Sequence, residues 1–388
     1  MIIGVPKEIL HSENRVSATP ETVRKMIADG HTVLVQTNAG KGSFYHDTDY
    51  ASAGAQLVDN PEKIYESADV ILKVKEPQYN AELKRHEVDM MHSGQTLITF
   101  IHPASPTNHA MVRKLTEKGV TGLTLDGIPR ISRAQSMDAL SSMSTCAGYK
   151  GIIMAADAIA KFIPMITTAV GVIRPATVLV VGAGVAGLRA IATAKSLGAV
   201  VYAADIRPEA NEQAQSLGAK IIDTGVPLEI AVSPDGKYAN KLPESWLETE
   251  KNNLKDIIQK SDIVFLSALI FGKQSPIIID EEMVKTMKPG SCIVDIAIDQ
   301  GGNCALTEAG EKITRHGVII DGCKNIPGKL SASSTLMFAN NIYNLLKYLA
   351  PKGKLQLDYD DEIVSSILVC HDKKLVHPGT IEAMSLHK

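Results

Sequence analysis

Cysteines are few in this sequence and long apolar runs are missing, and both shortages exclude classes of protein. The five cysteines, Cys146, Cys292, Cys304, Cys323 and Cys370, are scattered and form no Cys-x-x-Cys pair. We therefore expect reduced thiols of a cytosolic protein, with neither a disulfide framework nor a metal site. No apolar run approaches the roughly 20 residues that span a bilayer. No basic region with an apolar core begins the chain, so we expect no signal peptide.

An excess of charge of either sign is lacking as well. The 40 lysines and arginines nearly balance the 43 aspartates and glutamates, for a formal net charge of −3. This balance gives no reason to expect nucleic acid or an anionic membrane surface as a partner. With 45% apolar and 21% charged residues among 388, the composition is that of a globular protein with room for two domains.

The chain is organised around residues 177–205, TVLVVGAGVAGLRAIATAKSLGAVVYAAD. A short apolar run at 177–181 is typical of a buried parallel strand. A glycine-rich turn and an amphipathic helix to about residue 197 follow it, and a second apolar strand at 200–204 ends on Asp205. Strand, turn, helix, strand and acid all stand at the spacing of a dinucleotide-binding fingerprint.

Each part of this fingerprint has a physical role. Gly182 permits the tight turn, Gly184 lets a pyrophosphate approach the backbone, and Gly187 lets the helix pack closely on the strand. The phosphates would lie on the free amides of the helix N-terminus. Asp205 would accept hydrogen bonds from an adenosine ribose and repel a 2′-phosphate, which favours NAD(H) over NADP(H). Arg207 is read either as a phosphate ligand or as a surface arginine that opens the next helix.

The remaining pattern alternates strands and helices, which predicts parallel sheets covered on both faces. Strands are predicted at 2–5, 32–36, 70–74, 96–101, 120–123, 263–267 and 292–296, and a final strand at 363–369. The segment 223–243 contains several glycines and prolines and shows little strand or helix periodicity, which predicts a mobile lid or disorder. We expect one domain from residues 1–142 plus 327–388, and a dinucleotide-binding domain from residues 143–326 that carries the lid.

A polar loop at 129–142, PRISRAQSMDALSS, joins the first sheet to a long Ala-rich helix. Arg130, Gln135, Asp138 and Ser141 offer donors and acceptors suited to a carboxamide and a ribose. By composition alone, the loop is equally well explained as a polar connection with a helix cap.

This loop resembles the signature loop of the NAD(H)-binding domain in proton-translocating NAD(P) transhydrogenase, from a family shared with alanine dehydrogenase. The resemblance covers nearly the whole chain and continues through GAGVAGL at 182–188, DIRP at 205–208, ALI at 268–270, MKPGS at 287–291 and GGNC at 301–304. One departure is Phe271, where the family usually has proline. The resemblance implies an α/β fold of two Rossmann-like, doubly wound parallel-sheet domains with a cleft between them.

The resemblance also implies the roles of individual residues. It assigns the nicotinamide, its ribose and the closing lid to Arg130, Gln135, Asp138, Ser141 and Tyr238. It assigns the rest of the cofactor site to Gly182, Gly184, Val185, Ala186, Gly187, Asp205, Ile206, Arg207, Ala268, Leu269, Gly301 and Asn303.

A second set of residues matches the keto-acid site of alanine dehydrogenase: Arg15, Lys75, His102 and Asp299. Arginine and lysine would bind a carboxylate, and histidine would accept a proton. We favour retention of an ancestral scaffold over a working amino-acid site. In the scaffold reading, Arg15 and Lys75 form surface ion pairs and His102 is a hydrogen-bonded residue at a strand end.

The implied function is an NAD(H)-binding transhydrogenase subunit that passes hydride from NADH to NADP+ on a partner subunit. Membrane-spanning subunits would couple this transfer to proton translocation. Because no membrane segment follows, the chain resembles a separate α1 subunit, expected as a cytoplasmic homodimer that is peripheral to the inner membrane through its partners. The alternatives are a free-standing alanine dehydrogenase and a non-catalytic NAD-binding module.

Overall fold

The computed structural model describes residues 1–233, 239–270, 274–351 and 353–385. The chain divides into two units, which are Met1–Met143 with Pro327–Lys388, and Ser144–Ile326. They are called unit 1 and unit 2 below. The helix Ala139–Ala158 begins in unit 1 and continues in unit 2.

Unit 1 is built on one sheet of eight strands. From one edge to the other the strands are Lys374–Leu375, Leu368–His371, Thr121–Thr124, Thr96–Thr99, Val70–Leu72, Ile2–Val5, Thr32–Gln36 and Gln56–Val58. The six strands from Thr121–Thr124 onward are parallel, and the two edge strands before them are antiparallel. In chain order the sheet follows the arrangement 3-2-1-4-5-6 of a doubly wound fold, extended at one edge.

The helices of unit 1 lie between these strands along the chain, except the last, which follows the final strand. They are Pro20–Ala28, Asp47–Ser52, Pro61–Ser67, Glu87–Met90, His109–Lys118, Ser331–Leu349, Glu362–Ile367 and Pro378–Ser385. Short 3-10 turns lie at Lys41–Ser43, Pro106–Asn108, Leu125–Gly127 and Ser132–Met137, and a small hairpin pairs Tyr79–Asn80 with Arg85–His86.

Unit 2 is built on a sheet of seven strands. Their spatial order is Lys220–Ile221, Val200–Ala204, Thr177–Val181, Ile263–Leu266, Cys292–Asp295, Val318–Asp321 and Lys312–Arg315. All neighbours are parallel except the last pair. Because strand order reverses between Thr177–Val181 and Ile263–Leu266, ligands are expected at the carboxyl ends of these two strands.

The central strand of unit 2 is buried on both faces. Val178 and Val180 pack in one apolar cluster, and Leu179 and Val181 pack in another. Since successive side chains of a strand point to opposite faces, the two clusters cover the two faces of the sheet. The helices are Val185–Ser196, Pro208–Ser216, Leu228–Ala231, Glu244–Lys260 and Glu281–Thr286, with 3-10 turns at Ile298–Gln300 and Ile326–Leu330.

The expected α/β fold with two parallel-dominated sheets is therefore confirmed. One strand prediction is wrong: residues 363–369 form the helix Glu362–Ile367 and then the strand Leu368–His371. Asp361 causes this, because its Oδ1 accepts hydrogen bonds from the amides of Ile363 and Val364 and caps a helix. Within the described residues, no helix is long and apolar enough to cross a membrane.

Candidate functional site

The glycine-rich turn of unit 2 joins the strand Thr177–Val181 to the helix Val185–Ser196. Gly182 has φ = 88°, and its amide donates to the carbonyl of Ala204 over 2.8 Å. A Cβ on Gly182 would lie 2.7 Å from the amide nitrogen of Ala268, and one on Gly187 would lie 1.9 Å from the carbonyl oxygen of Gly182. Both positions are closed to larger residues, because the backbone itself approaches them.

Gly184 differs from the other two glycines of the turn. It is the N-cap of the helix Val185–Ser196, with φ = −74°, a value open to any residue. A Cβ there would meet only the Nη2 atom of Arg207, at 3.9 Å. Because Gly184 has no side chain, the space over the first amides of the helix is open. A phosphate can approach these amides only if that space is open.

Asp205 ends the neighbouring strand and is 7% exposed. Its Oδ2 accepts a hydrogen bond of 2.8 Å from the amide of Ala183, which ties the carboxylate to the turn. Arg207 donates to the same carboxylate from its amide, Nε and Nη2 over 2.8–3.0 Å. Asn211 holds the backbone of Asp205 from the other side. Side-chain hydrogen bonding to Asp205 raises the pKa of Arg207.

Arg207 opens the next helix, as the second reading of the sequence expected, since it is the N-cap of the helix Pro208–Ser216. Its reading as a phosphate ligand stays a prediction. Arg207 is also the ion-pair partner of Asp205. Ile206 is the residue between them. Because the pair carries no net charge, Asp205 with its partner repels a 2′-phosphate less than a free carboxylate would.

Asn303 binds the backbone that follows the strand Ile263–Leu266. It is fully buried, and its Nδ2 donates to the carbonyls of Ala268 and Pro276, while its Oδ1 accepts from the amide of Ala268. Asp295 accepts from the amides of Asn303 and Cys304 and from the Thr307 hydroxyl. Asn303 therefore binds both backbone groups of Ala268 and ties this residue to Pro276.

The other cofactor-site residues predicted from the resemblance lie in turns, at the surface or at the start of a helix. Gly301 and Gly302 have φ values of 104° and 81°, and a Cβ on Gly302 would lie 2.8 Å from Oδ2 of Asp295. Leu269 is an exposed apolar side chain. Val185 and Ala186 are the first residues of the helix after the turn.

Glu250 is a carboxyl group that the sequence did not indicate. It lies on the helix Glu244–Lys260, on the same buried face as Leu254, and is 4% exposed. It forms no hydrogen bond or ion pair with any residue in the described ranges. Burial, and after it the negative charge of Asp205, raises the pKa of Glu250 to about 7.

The polar loop of unit 1 contains two kinds of side chain. Arg130 and Gln135 are exposed, and their side chains form no hydrogen bond or ion pair with the described part of the chain. Asp138 caps the helix Ala139–Ala158, since its carboxylate accepts from the amide and hydroxyl of Ser141 over 2.8 and 2.6 Å. Arg130 and Gln135 are thus open to a ligand, whereas Asp138 and Ser141 hold each other.

The residues resembling a keto-acid site fall into both units. Arg15 is 3% exposed and forms a buried ion pair with Glu13, through Nε to Oε1 over 2.7 Å and Nη2 to Oε2 over 2.5 Å. The prediction of a surface ion pair for Arg15 is therefore wrong, because the Glu13 carboxylate is buried together with the guanidinium. Asp299 lies in unit 2, exposed, with its Oδ1 4.0 Å from Nζ of Lys324.

His102 is tied to a carboxylate at the end of its strand. Its φ is 47°, its Nδ1 lies 2.6 Å from Oδ1 of Asp126, and its amide donates to Oδ2 over 2.8 Å. Burial lowers and the Asp126 charge raises the pKa of His102, with a net upward shift. Lys75 is close enough to act electrostatically on both His102 and Glu13. No pattern in the sequence pointed to Asp126 or Glu13 as partners.

Tyr238 and Phe271 lie outside the described residues, as does the middle of the predicted lid. In the described part of the lid, residues Leu228–Ala231 form a short helix, and Val232 pairs with Ala239 in an isolated bridge. The part of the chain that the structure describes holds no group of three or more histidine, cysteine or acidic side chains arranged for a metal. Of the cysteines, all but Cys323 are buried.

The glycine-rich turn, the carboxylate of Asp205 and the doubly wound sheet of unit 2 define a dinucleotide-binding oxidoreductase fold. The space at Gly184 fits a pyrophosphate. The sequence matches the alanine dehydrogenase/PNT N-terminal domain over residues 4–147 and the C-terminal domain of the same family over residues 151–378. This chain belongs to the alanine dehydrogenase/PNT family. Membership supports NAD(H) as the dinucleotide.

Individual relatives are similar over almost their full length. The chain is 41% identical to the first part of NAD(P) transhydrogenase subunit alpha from Rhodospirillum rubrum, over 98% of both chains. It is 30% identical to alanine dehydrogenase of Staphylococcus saprophyticus, over 100% of this chain and 97% of that one. A crystal structure of transhydrogenase from Sinorhizobium meliloti matches with a TM-score of 0.84 and 37% identity, covering 97% of this chain and 100% of that chain. An L-alanine dehydrogenase structure matches with a TM-score of 0.83 and 27% identity, covering both chains fully.

Proposed function

We propose that this chain is the NAD(H)-binding subunit of a proton-translocating NAD(P) transhydrogenase. In this role NADH bound on unit 2 gives a hydride to NADP+ held by a partner subunit. The proposal rests above all on the turn of unit 2, where Gly184 leaves the helix amides open beside Asp205. The similarity to the first part of NAD(P) transhydrogenase subunit alpha from Rhodospirillum rubrum supports it.

Each part of the proposed site has one task. The amides after Gly184 bind the pyrophosphate, and Asp205 binds the adenosine ribose while it shares its charge with Arg207. Arg130 and Gln135 bind the carboxamide and ribose of the nicotinamide, and Asp138 and Ser141 hold the helix start beside them. Because hydride passes between two rings and no proton moves, these residues need only orient a ring and exclude water.

Alanine dehydrogenase activity is the second candidate, favoured by the His102–Asp126 pair. A histidine whose pKa is raised by a carboxylate is suited to proton transfer near neutral pH. Against it, the guanidinium of Arg15 is bound through Nε and Nη2 by Glu13 and is buried. A substrate carboxylate would have to displace Glu13, so we rank this activity below hydride exchange.

We also propose a homodimer through the hairpin Ile166–Thr168/Gly171–Ile173. Val170 at its tip is 94% exposed, and Met165, Val172 and Phe162 are exposed beside it. A two-stranded hairpin is marginal alone, and its free edges pair readily with another strand. A second copy offers the same apolar surface. The double variant Val170→Asp, Val172→Asp should be a monomer by analytical sedimentation, and an unchanged mass would reject this surface.

We further propose membrane-spanning partner subunits and a cytoplasmic location peripheral to the membrane.

Hydride transfer separates the candidates directly. The chain is mixed with an NADP-binding partner domain and an NADP+ analogue whose reduced form absorbs at its own wavelength. Oxidation of NADH should then depend on both partner and analogue, whereas pyruvate with ammonia should give no turnover. Turnover with pyruvate and ammonia alone would favour the dehydrogenase, and binding without either reaction would favour an NAD-binding module.

A further inference from the structure

The turn Ser132–Met137 in the signature loop is held from outside by one face of a distant helix. Asn341 and Asn344, on the helix Ser331–Leu349, both donate their Nδ2 hydrogens to the carbonyl of Ser136, over 2.9 and 3.1 Å. Their spacing of three residues puts the two amides side by side on that helix.

The other end of the same turn is fixed by an ion pair. Nη1 of Arg133 donates to the hydroxyl of Tyr348 and to Oδ2 of Asp361, both over 2.7 Å, and the hydroxyl of Tyr348 donates to the same Oδ2 over 2.8 Å. Tyr348 stands one turn after Asn344 on the same helix. Asp361 is itself held at its other carboxylate oxygen, because Oδ1 accepts backbone hydrogen bonds at the N-terminus of the helix Glu362–Ile367.

The side chains of the turn Ser132–Met137 contribute little to holding it in place. Ala134 and Met137 are buried beneath it, but Gln135 and Ser136 between them are exposed. The described residues give Oδ1 of Asn341 no hydrogen-bond partner, although it is buried. An unpaired buried acceptor costs roughly 1–3 kcal/mol of folding free energy. Stability alone therefore does not explain an asparagine at position 341.

We propose that Asn341, Asn344 and Arg133 are positioning residues, which set the turn Ser132–Met137 so that Gln135 presents its amide to the nicotinamide of the bound cofactor. This rests on the proposed function. The three residues act through the backbone of Ser136 and through the Tyr348–Asp361 pair. They touch neither cofactor nor substrate themselves.

The test compares the double variant Asn341→Ala, Asn344→Ala with Asn340→Ala. Asn340 is the matched control, since it is an asparagine of the same helix whose Nδ2 donates to the carbonyl of Leu336, away from the turn. Three quantities are measured: amide hydrogen exchange of residues 132–138, NADH affinity by calorimetry, and hydride transfer with an NADP-binding partner domain. If the double variant does not fold, Asn344→Ala, at a half-exposed position, replaces it.

In the double variant we expect exchange at 132–138 to rise about 10-fold or more, as for a segment losing roughly 1.4 kcal/mol of local stability. Hydride transfer should fall by about 10-fold while NADH affinity stays within about 2-fold, the signature of lost orientation. Arg133→Lys should retain part of the transfer rate, since lysine still donates to Asp361. Asn340→Ala should match the parent in all three.

Unchanged amide exchange would show that Asn341 and Asn344 do not order the turn. Faster exchange with a parental transfer rate would overturn the positioning role. An equal loss of NADH affinity and transfer would show that the turn serves binding alone. A parent that transfers no hydride would reject the proposed function instead, and the exchange data would then still decide whether these residues order the turn.

Discussion

Both carboxylate oxygens of Asp205 are bound by one guanidinium, that of Arg207. Nε donates to Oδ1 over 3.0 Å and Nη2 to Oδ2 over 2.9 Å. Bidentate pairs of this kind are strong and fix geometry as well as charge. The acid that the sequence assigns to the ribose is therefore already paired with a cation in the protein without cofactor. We expect the choice between NADH and NADPH to depend on this pair and not on Asp205 alone.

The first prediction concerns this choice. Arg207→Ala leaves the carboxylate of Asp205 unneutralised, so discrimination against NADPH should increase, by about 10-fold if roughly 1.4 kcal/mol of attraction to the 2′-phosphate is lost. Asp205→Asn should do the reverse and also weaken NADH binding. Titration calorimetry with both nucleotides measures the two ratios, with Asp256→Asn, at an exposed site of the same unit, as the control. Parental ratios in both variants would remove the pair from the ribose site.

The glycines of the turn make a matched pair of substitutions. Gly184→Ala meets only Arg207 Nη2 at 3.9 Å, so the protein should keep its melting temperature. NADH affinity should nevertheless fall by about 10-fold or more, because in the proposed site the added methyl group would obstruct the pyrophosphate. Gly187→Ala places its Cβ 1.9 Å from the carbonyl of Gly182 and should lower the melting temperature.

Thermal unfolding followed by NADH titration checks both variants. A destabilised Gly184→Ala would mean that the room at this position is smaller than the geometry indicates. Full NADH affinity in a stable Gly184→Ala would mean that no phosphate approaches there.

Glu250 predicts a pH dependence of stability. Its pKa in the folded protein, about 7, lies above the value of 4.5 for an ordinary glutamate. The folded state therefore binds the proton more tightly, and its contribution to stability is full below pH 4.5 and is lost as pH rises through 7. Glu250→Gln removes this loss. Relative to the parent, the variant should gain on the order of 3 kcal/mol of unfolding free energy between about pH 4.5 and about pH 8.

Urea unfolding at a series of pH values measures this difference. Some pH dependence should remain in the variant, because burial raises the pKa of Glu8 in unit 1 to about 7 as well. Curves for parent and variant that stay parallel across the whole range would exclude Glu250 as a titrating group.

The pair of Glu13 and Arg15 predicts a loss of stability. Glu13→Gln leaves the buried guanidinium of Arg15 without its counter-charge, and breaking a buried pair in this way costs roughly 3–5 kcal/mol. Glu66→Gln, at an exposed position of the same unit, should change little. Denaturant unfolding compares the two. A small effect of Glu13→Gln would mean that Arg15 is readily released, which would strengthen the case for a keto-acid site.

Local patterns predict the centre of the fold well. Within 177–205, apolar runs and glycines determine strand, turn and helix over short distances, and the observed strands Thr177–Val181 and Val200–Ala204 have the predicted bounds. The predicted strand at 96–101 ends earlier, at Thr99. The antiparallel pair Lys312–Arg315 and Val318–Asp321 is absent from the predicted strands. Its outer strand is largely exposed and has no apolar run. The local signals are the apolar run of the inner strand and the glycine of the turn, where His316 and Gly317 have positive φ.

Side-chain pairing is harder to predict than strands. The contact of Arg133 with Asp361 joins residues 228 positions apart, and that of Asn341 with Ser136 joins residues 205 apart. No periodicity in a single sequence indicates such contacts, because they depend on the whole sheet being formed. Arg207 presents the opposite difficulty: its partner is two residues away, but only the backbone turn after Asp205 brings the two together.

We propose that this chain gives hydride to a nicotinamide on another protein and carries out no amino-acid chemistry. A rapid-mixing experiment tests this most sharply, with the chain loaded with NADH and a partner domain loaded with an NADP+ analogue. Reduction of the analogue should be fast, at a rate independent of pyruvate and ammonia. Absence of that reduction, together with brisk oxidation of NADH by pyruvate and ammonia in the isolated chain, would contradict it.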